Sequence, residues 1–119
     1  MGSWAYGPLD NDVALDWVDG ILGKVVDDTN QVLQQWQDDV NNFEGELLRA
    51  AAEVCKQMAP LSPEIVALLP QLHQALETLS TSEWVDRWDD PPKVAAAIRS
   101  QMARLQTAIQ ASRLKEDPL

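Results

Sequence analysis

Large apolar residues recur along this chain at steps of three and four, and no stretch alternates apolar with polar, so the chain can bury them only as helices packed side by side. From Asp12 onward, Ala14, Trp17, Val18, Ile21 and Leu22 share one face, while Asp12, Asp16 and Asp19 share the other. Gly20 and Gly23 are expected to weaken this first helix and end it. A second stripe runs through Val25, Val32, Trp36, Val40, Phe43, Leu47, Val54 and Met58 and keeps helical phase throughout. It reads as one helix or as two broken near Asn41 to Gly45, where helix propensity is poorest. The rarity of so long a helix in a small domain favours the break; the preserved phase favours the single helix.

Ala59-Pro60 closes that region, and Ser62-Pro63-Glu64 restarts a helix with a cap, a proline at the first helical position and an acid in the first turn. Ile65, Leu68, Leu69, Leu72, Leu76 and Leu79 give it a dense apolar face, and Pro70 is expected to kink or split it. Ser80 and Glu83 have the spacing of a capping box for a short helix carrying Trp84, Val85 and Trp88. Asp90-Pro91-Pro92 stops that helix and starts the last one, striped by Val94, Ile98, Met102, Leu105 and Ile109. The expected fold is all-α: a compact single domain over residues 1–119, a bundle of about five helices. Residues 1–11 are expected to form an irregular N-terminal clasp packed on the helices, since Trp4 and Tyr6 need cover, and residues 115–119 a frayed C-terminus.

Charge is unevenly distributed. Nineteen acidic and nine basic side chains give a formal charge of −10. Residues 1–46 hold ten of the acids and one base, Lys24, whereas residues 91–115 hold Lys93, Arg99, Arg104, Arg113 and Lys115 and no acid. The simplest account lays the basic last helix against or near the acidic first part of the chain, with much acidic surface still left over. Such a balance argues against direct nucleic-acid binding and for a basic protein partner. No apolar run approaches the roughly 20 residues of a membrane span. No secretory signal is visible, and a single cysteine, Cys55, fits a reducing cytoplasm.

No catalytic, cofactor or metal site is expected. His73, the only histidine, sits beside the leucine face as a boundary residue, and Cys55 reads as a buried small hydrophobe. Asp10, Asp12, Asp16 and Asp19 lack the calcium-loop pattern, and the last three fall on one helical face as a solvated or partner-facing surface does. Asp86, Asp89 and Asp90 read as surface charge with an N-cap among them. Trp17 and Trp36 are expected in the core. Trp84 and Trp88 are expected to close the end of the core, with a partner anchor as the alternative.

The opening Gly2-Ser3-Trp4-Ala5-Tyr6-Gly7-Pro8-Leu9-Asp10-Asn11-Asp12-Val13-Ala14 resembles a family of small bacterial proteins, the domain of unknown function 4259, whose members begin with a pattern like Gly-x-Trp-Gly-x-Gly-x-Phe-Asp-Asn-Asp-x-Ala. Ala50-Ala51-Ala52-Glu53-Val54 and Ser82-Glu83-Trp84-Val85-Asp86-Arg87-Trp88 are similar to further family segments, and Ala5, Leu9 and Trp84 depart from it. The resemblance implies a helical bacterial protein, brings no reaction, and marks Trp4, Gly7, Asp10, Asn11 and Asp12 as a unit. Three readings of function follow. The first is a non-enzymatic interaction module, an immunity protein or inhibitor docking a basic toxin through Asp12, Asp16, Asp19, Asp27, Asp28, Asp38 and Asp39. The second is a metal-dependent hydrolase using Asp10, Asp12 and Asp16. The third is a homo-oligomer subunit with Trp84 and Trp88 buried between chains.

Overall fold

The computed structural model describes residues 12–39 and 45–116, and these form five α-helices. They are α1 (Asp12–Asp38), α2 (Gly45–Met58), α3 (Pro63–Ser80), α4 (Glu83–Asp86) and α5 (Pro91–Glu116), with a 3₁₀ turn at Ala59–Leu61. The expected all-α bundle is what forms. The N-terminal clasp with Trp4, Gly7, Asp10 and Asn11, and the segment with Val40 and Phe43, lie outside the described residues.

The organising element is α3. Ser62 caps it, its Oγ accepting the Ile65 N–H at 3.4 Å, and Pro63 occupies the first turn. Ile65, Leu69, Leu72, Leu76 and Leu79 are fully buried, and Leu68 and Ala75 nearly so. A face that apolar needs cover on several sides, and α1, α2 and α5 all pack against it. Pro70 lies inside α3 without splitting it. It faces solvent and forfeits one backbone bond, to the Val66 carbonyl.

The first helix departs from expectation in length. It runs through Gly20 and Gly23 for 27 residues. Two helical glycines cost about 1 kcal/mol each, while burial of Leu22, Thr29, Leu33 and Trp36 on the same helix continues past both. It does end before Asp39, and α2 begins at Gly45, so the chain takes the broken reading of residues 25–59. The break resets the phase. The inward face of α2 is Gly45, Leu48, Ala52 and Cys55, whereas Leu47 and Val54, assigned to the stripe from sequence, are 47% and 42% exposed.

Between α3 and α4 no capping box forms. The hydroxyl of Ser80 donates to the Glu77 carbonyl and that of Ser82 to the Leu79 carbonyl, each at 2.7 Å. Both serines thus serve the C-terminal carbonyls of α3, and Ser82 stands at the N-cap of α4 without a side-chain cap bond. Asp90 does cap α5, its Oδ1 accepting the Lys93 N–H at 3.3 Å. On α5, Ile98, Leu105 and Ile109 are buried, and so is Gln101. Gln101 Nε2 donates to the Arg49 carbonyl and its Oε1 accepts from Arg49 Nε, both at 2.8 Å, a reciprocal clamp between α5 and α2.

Candidate functional site

The outer side of α1 gathers most of the acidic residues singled out from sequence. Asp16, Asp19, Asp27, Asp28, Asp38 and Asp39 are all exposed; Asp10 and the Asp12 side chain lie outside the described residues. Asp16, Asp27 and Asp38 are eleven residues apart. Eleven residues are close to three helical turns, so the three carboxylates lie nearly in line along the helix, about 16 Å from one to the next. The line faces away from Leu22, Thr29 and Leu33, which carry the helix on the core.

Among the described residues this charge is little compensated. Asp28 pairs with Lys24 at 2.8 Å, and that hydrogen bond holds the fully exposed ammonium above its usual pKa. Asp38 Oδ1 accepts from Gln34 Nε2 at 3.0 Å. Asp16, Asp19 and Asp27 have no hydrogen-bond or ion-pair partner among the described residues.

Among the described residues no ion pair joins α5 to an acid of α1. Among the described residues α1 packs on α2 and α3, and α5 on α3, α2 and α4; α1 and α5 share no packed face. Apolar faces decide which helices are neighbours, because exposed ion pairs are worth only about 0–1 kcal/mol. The cations Lys93, Arg99 and Arg104 therefore point to solvent elsewhere. Arg104 Nη1 donates to Ser100 Oγ at 2.9 Å. Its charge contributes slightly to holding the Glu53 carboxyl below its usual range, an effect due first to Lys56 and then to Gln57.

Trp17 is the residue that sequence reasoning misplaced. Assigned to the core, it is 71% exposed, with Val13 at 80% nearby on the same helix. The signal was present: Trp17 lies seven residues before Lys24 and eleven before Asp28, so it shares their flank of the helix rather than that of Leu22. Trp17 thus places a large apolar side chain on solvent beside a row of carboxylates.

The remaining candidates fall into separate places. Trp84 is buried as expected, but Trp88 is 45% exposed, so only one of the pair closes the core. Trp88 follows the last turn of α4 and stacks edge-on against Trp84 instead. Cys55 is buried, its Sγ 3.3 Å from Thr29 Oγ1, and burial pushes its thiol above the ordinary 9.0. It is thus protonated at neutral pH, the unreactive form. His73 is half-buried on α3, at the boundary position expected of it. Among the described residues no group of three or more histidine, cysteine or acidic side chains is placed to hold a metal ion. No helix among them is long and apolar enough to cross a membrane. Comparison with protein-family models, curated proteins and solved structures finds no match to the chain.

Proposed function

We propose that this protein is a non-enzymatic interaction module whose α1 outer face docks a basic protein, in the manner of an immunity protein or inhibitor that covers a cationic toxin or nuclease in the bacterial cytoplasm. The observation that carries the reading is the line of Asp16, Asp27 and Asp38 on solvent, with Lys93, Arg99 and Arg104 exposed on a helix that packs on α3, α2 and α4 instead. A linear field of one sign raises the encounter rate with an oppositely charged partner and sets its orientation. Trp17 supplies apolar contact at one end of the line. The resemblance of the N-terminal segment to the domain of unknown function 4259 family belongs to the same proposal, and so does the bacterial setting.

The test begins with affinity capture from the source organism, followed by association kinetics with the purified partner across salt concentrations. A basic partner is expected. Its association rate falls steeply with salt, and the triple variant Asp16→Asn, Asp27→Asn, Asp38→Asn slows association about tenfold or more while changing dissociation little. A partner without basic character, or an association rate indifferent to salt and to the triple variant, sinks the reading. The metal-dependent alternative rests on Asp10, Asp12 and Asp16. A melting temperature raised by one divalent cation and not by others, with the rise abolished by Asp12→Asn, would replace the docking reading with that one.

A further inference from the structure

The corner built by α4 and the start of α5 differs in character from the acidic α1. Trp88 stands just past α4, half-exposed, its ring centroid 5.5 Å from that of buried Trp84 at an interplanar angle of 68°. Trp88 forms one wall of a groove of about 340 Å³, lined also by Trp84, Val94 and Ala97 and by the charged Arg49, Asp89, Asp90 and Lys93. A half-exposed indole and a recess therefore occupy the same patch. Asp89 and Lys93 are exposed, and neither side chain is paired among the described residues. Arg49, by contrast, is committed to Gln101, and Asp90 to the α5 cap.

The occupant follows from charge. A chain of net charge −10 repels a second copy of itself over most of its surface. This patch is locally balanced, with cations and carboxylates interleaved around an aromatic centre. A surface carrying both the knob and the hole, and both signs of charge, is self-complementary under a two-fold axis, the commonest symmetry of soluble oligomers. A strongly basic partner gains nothing here that α1 does not offer better. We propose that this corner is a two-fold interface between two copies of the chain: each Trp88 enters the groove of the other copy, and each Asp89 faces the other copy's Lys93. The interface leaves the α1 face uncovered, so it stands or falls independently of docking to a basic partner.

Sedimentation velocity tests it, from micromolar to about 1 mM protein, in about 0.15 M salt, where a screening length of about 8 Å limits repulsion to close charges. The wild-type chain is expected to pass from monomer to dimer across that range. Trp88→Ala is expected to weaken dimerisation about tenfold or more, with the far-ultraviolet circular dichroism unchanged. Lys93→Glu alone and Asp89→Lys alone are each expected to remain monomeric, since each places like charges across the axis twice. An equimolar mixture of those two variants is expected to dimerise again, because every cross-axis contact then joins opposite charges. Should Trp88→Ala fail to fold, the two exposed charge variants carry the test alone. A wild-type chain that stays monomeric throughout overturns the proposal, and so does a dimer that the charge variants leave intact or that their mixture fails to restore.

Discussion

Gly45 and Trp84 lie against one another, whereas Gly20, Gly23 and Trp17 lie in the open. A Cβ added at Gly45 would stand 2.7 Å from the Trp84 ring and 2.9 Å from Leu79 Cδ1; at Gly20 or Gly23 it would meet nothing within 4 Å. Trp84 is 5% exposed and Trp17 71%. The two regions use the same residue types for opposite ends. At the α2–α4 corner a second helix comes over the glycine, so its missing side chain is what lets an indole settle on the backbone. On the outer side of α1 no described helix arrives, so the glycines merely cost helix stability and the indole faces water. A glycine or a tryptophan thus carries no fixed meaning on a helix; the neighbour that does or does not pack over it supplies the meaning.

The contrast can be broken in order of effect. Trp84→Ala removes the largest side chain at the corner and should destabilise the fold by about 3–5 kcal/mol in urea denaturation; a cost below about 1 kcal/mol would mean the corner is not packed. Gly45→Ala should cost about 1–3 kcal/mol through overpacking against Trp84 and Leu79, despite the better helix propensity of alanine. A neutral result there would show that the indole can give way. Gly20→Ala goes in the other direction, with a gain of about 0.5–1 kcal/mol from a stiffer helix in open space. If it destabilised instead, something must cover α1. The smallest effect is expected of Trp17→Ala, within about 0.5 kcal/mol of wild type. A Trp17 loss comparable to that of Trp84 would erase the distinction between the regions.

What the sequence revealed and what it concealed follow the same line. The start of α3 was legible because Ser62, Pro63 and Glu64 act locally, on the first turn they precede. Its buried face was legible because the spaced leucines leave one solution. The burial of Cys55 followed from its neighbours on α2. The length of α1 was not legible, since glycine is a stop signal only where the apolar stripe also stops, and here it continues to Trp36. Adjacent Leu47 and Leu48 gave the α2 stripe two possible phases, and the break before Gly45 chose Leu48. Gln101 looked like surface because its partners, the Arg49 carbonyl and guanidinium, are 52 residues away. The candidate site was legible in part. Its carboxylates stood out by count and position, but Trp17 was drawn inward by its hydrophobicity, and the pairing of α1 with α5 was inferred from sign alone. Sign does not choose neighbours in a helical bundle; apolar area does.

A double-mutant cycle tests most directly that apolar area, and not charge sign, sets the neighbours of α1 and α5. One arm carries Asp16→Asn, Asp27→Asn and Asp38→Asn; the other carries Arg99→Gln and Arg104→Gln; stability is measured for each arm, for both together and for wild type. With α1 and α5 on separate sides of the bundle, the two sets of changes should add to within about 0.5 kcal/mol. A favourable coupling of about 1 kcal/mol or more would mean that the last helix already neutralises the α1 carboxylates, leaving no free acidic face for a basic partner to meet.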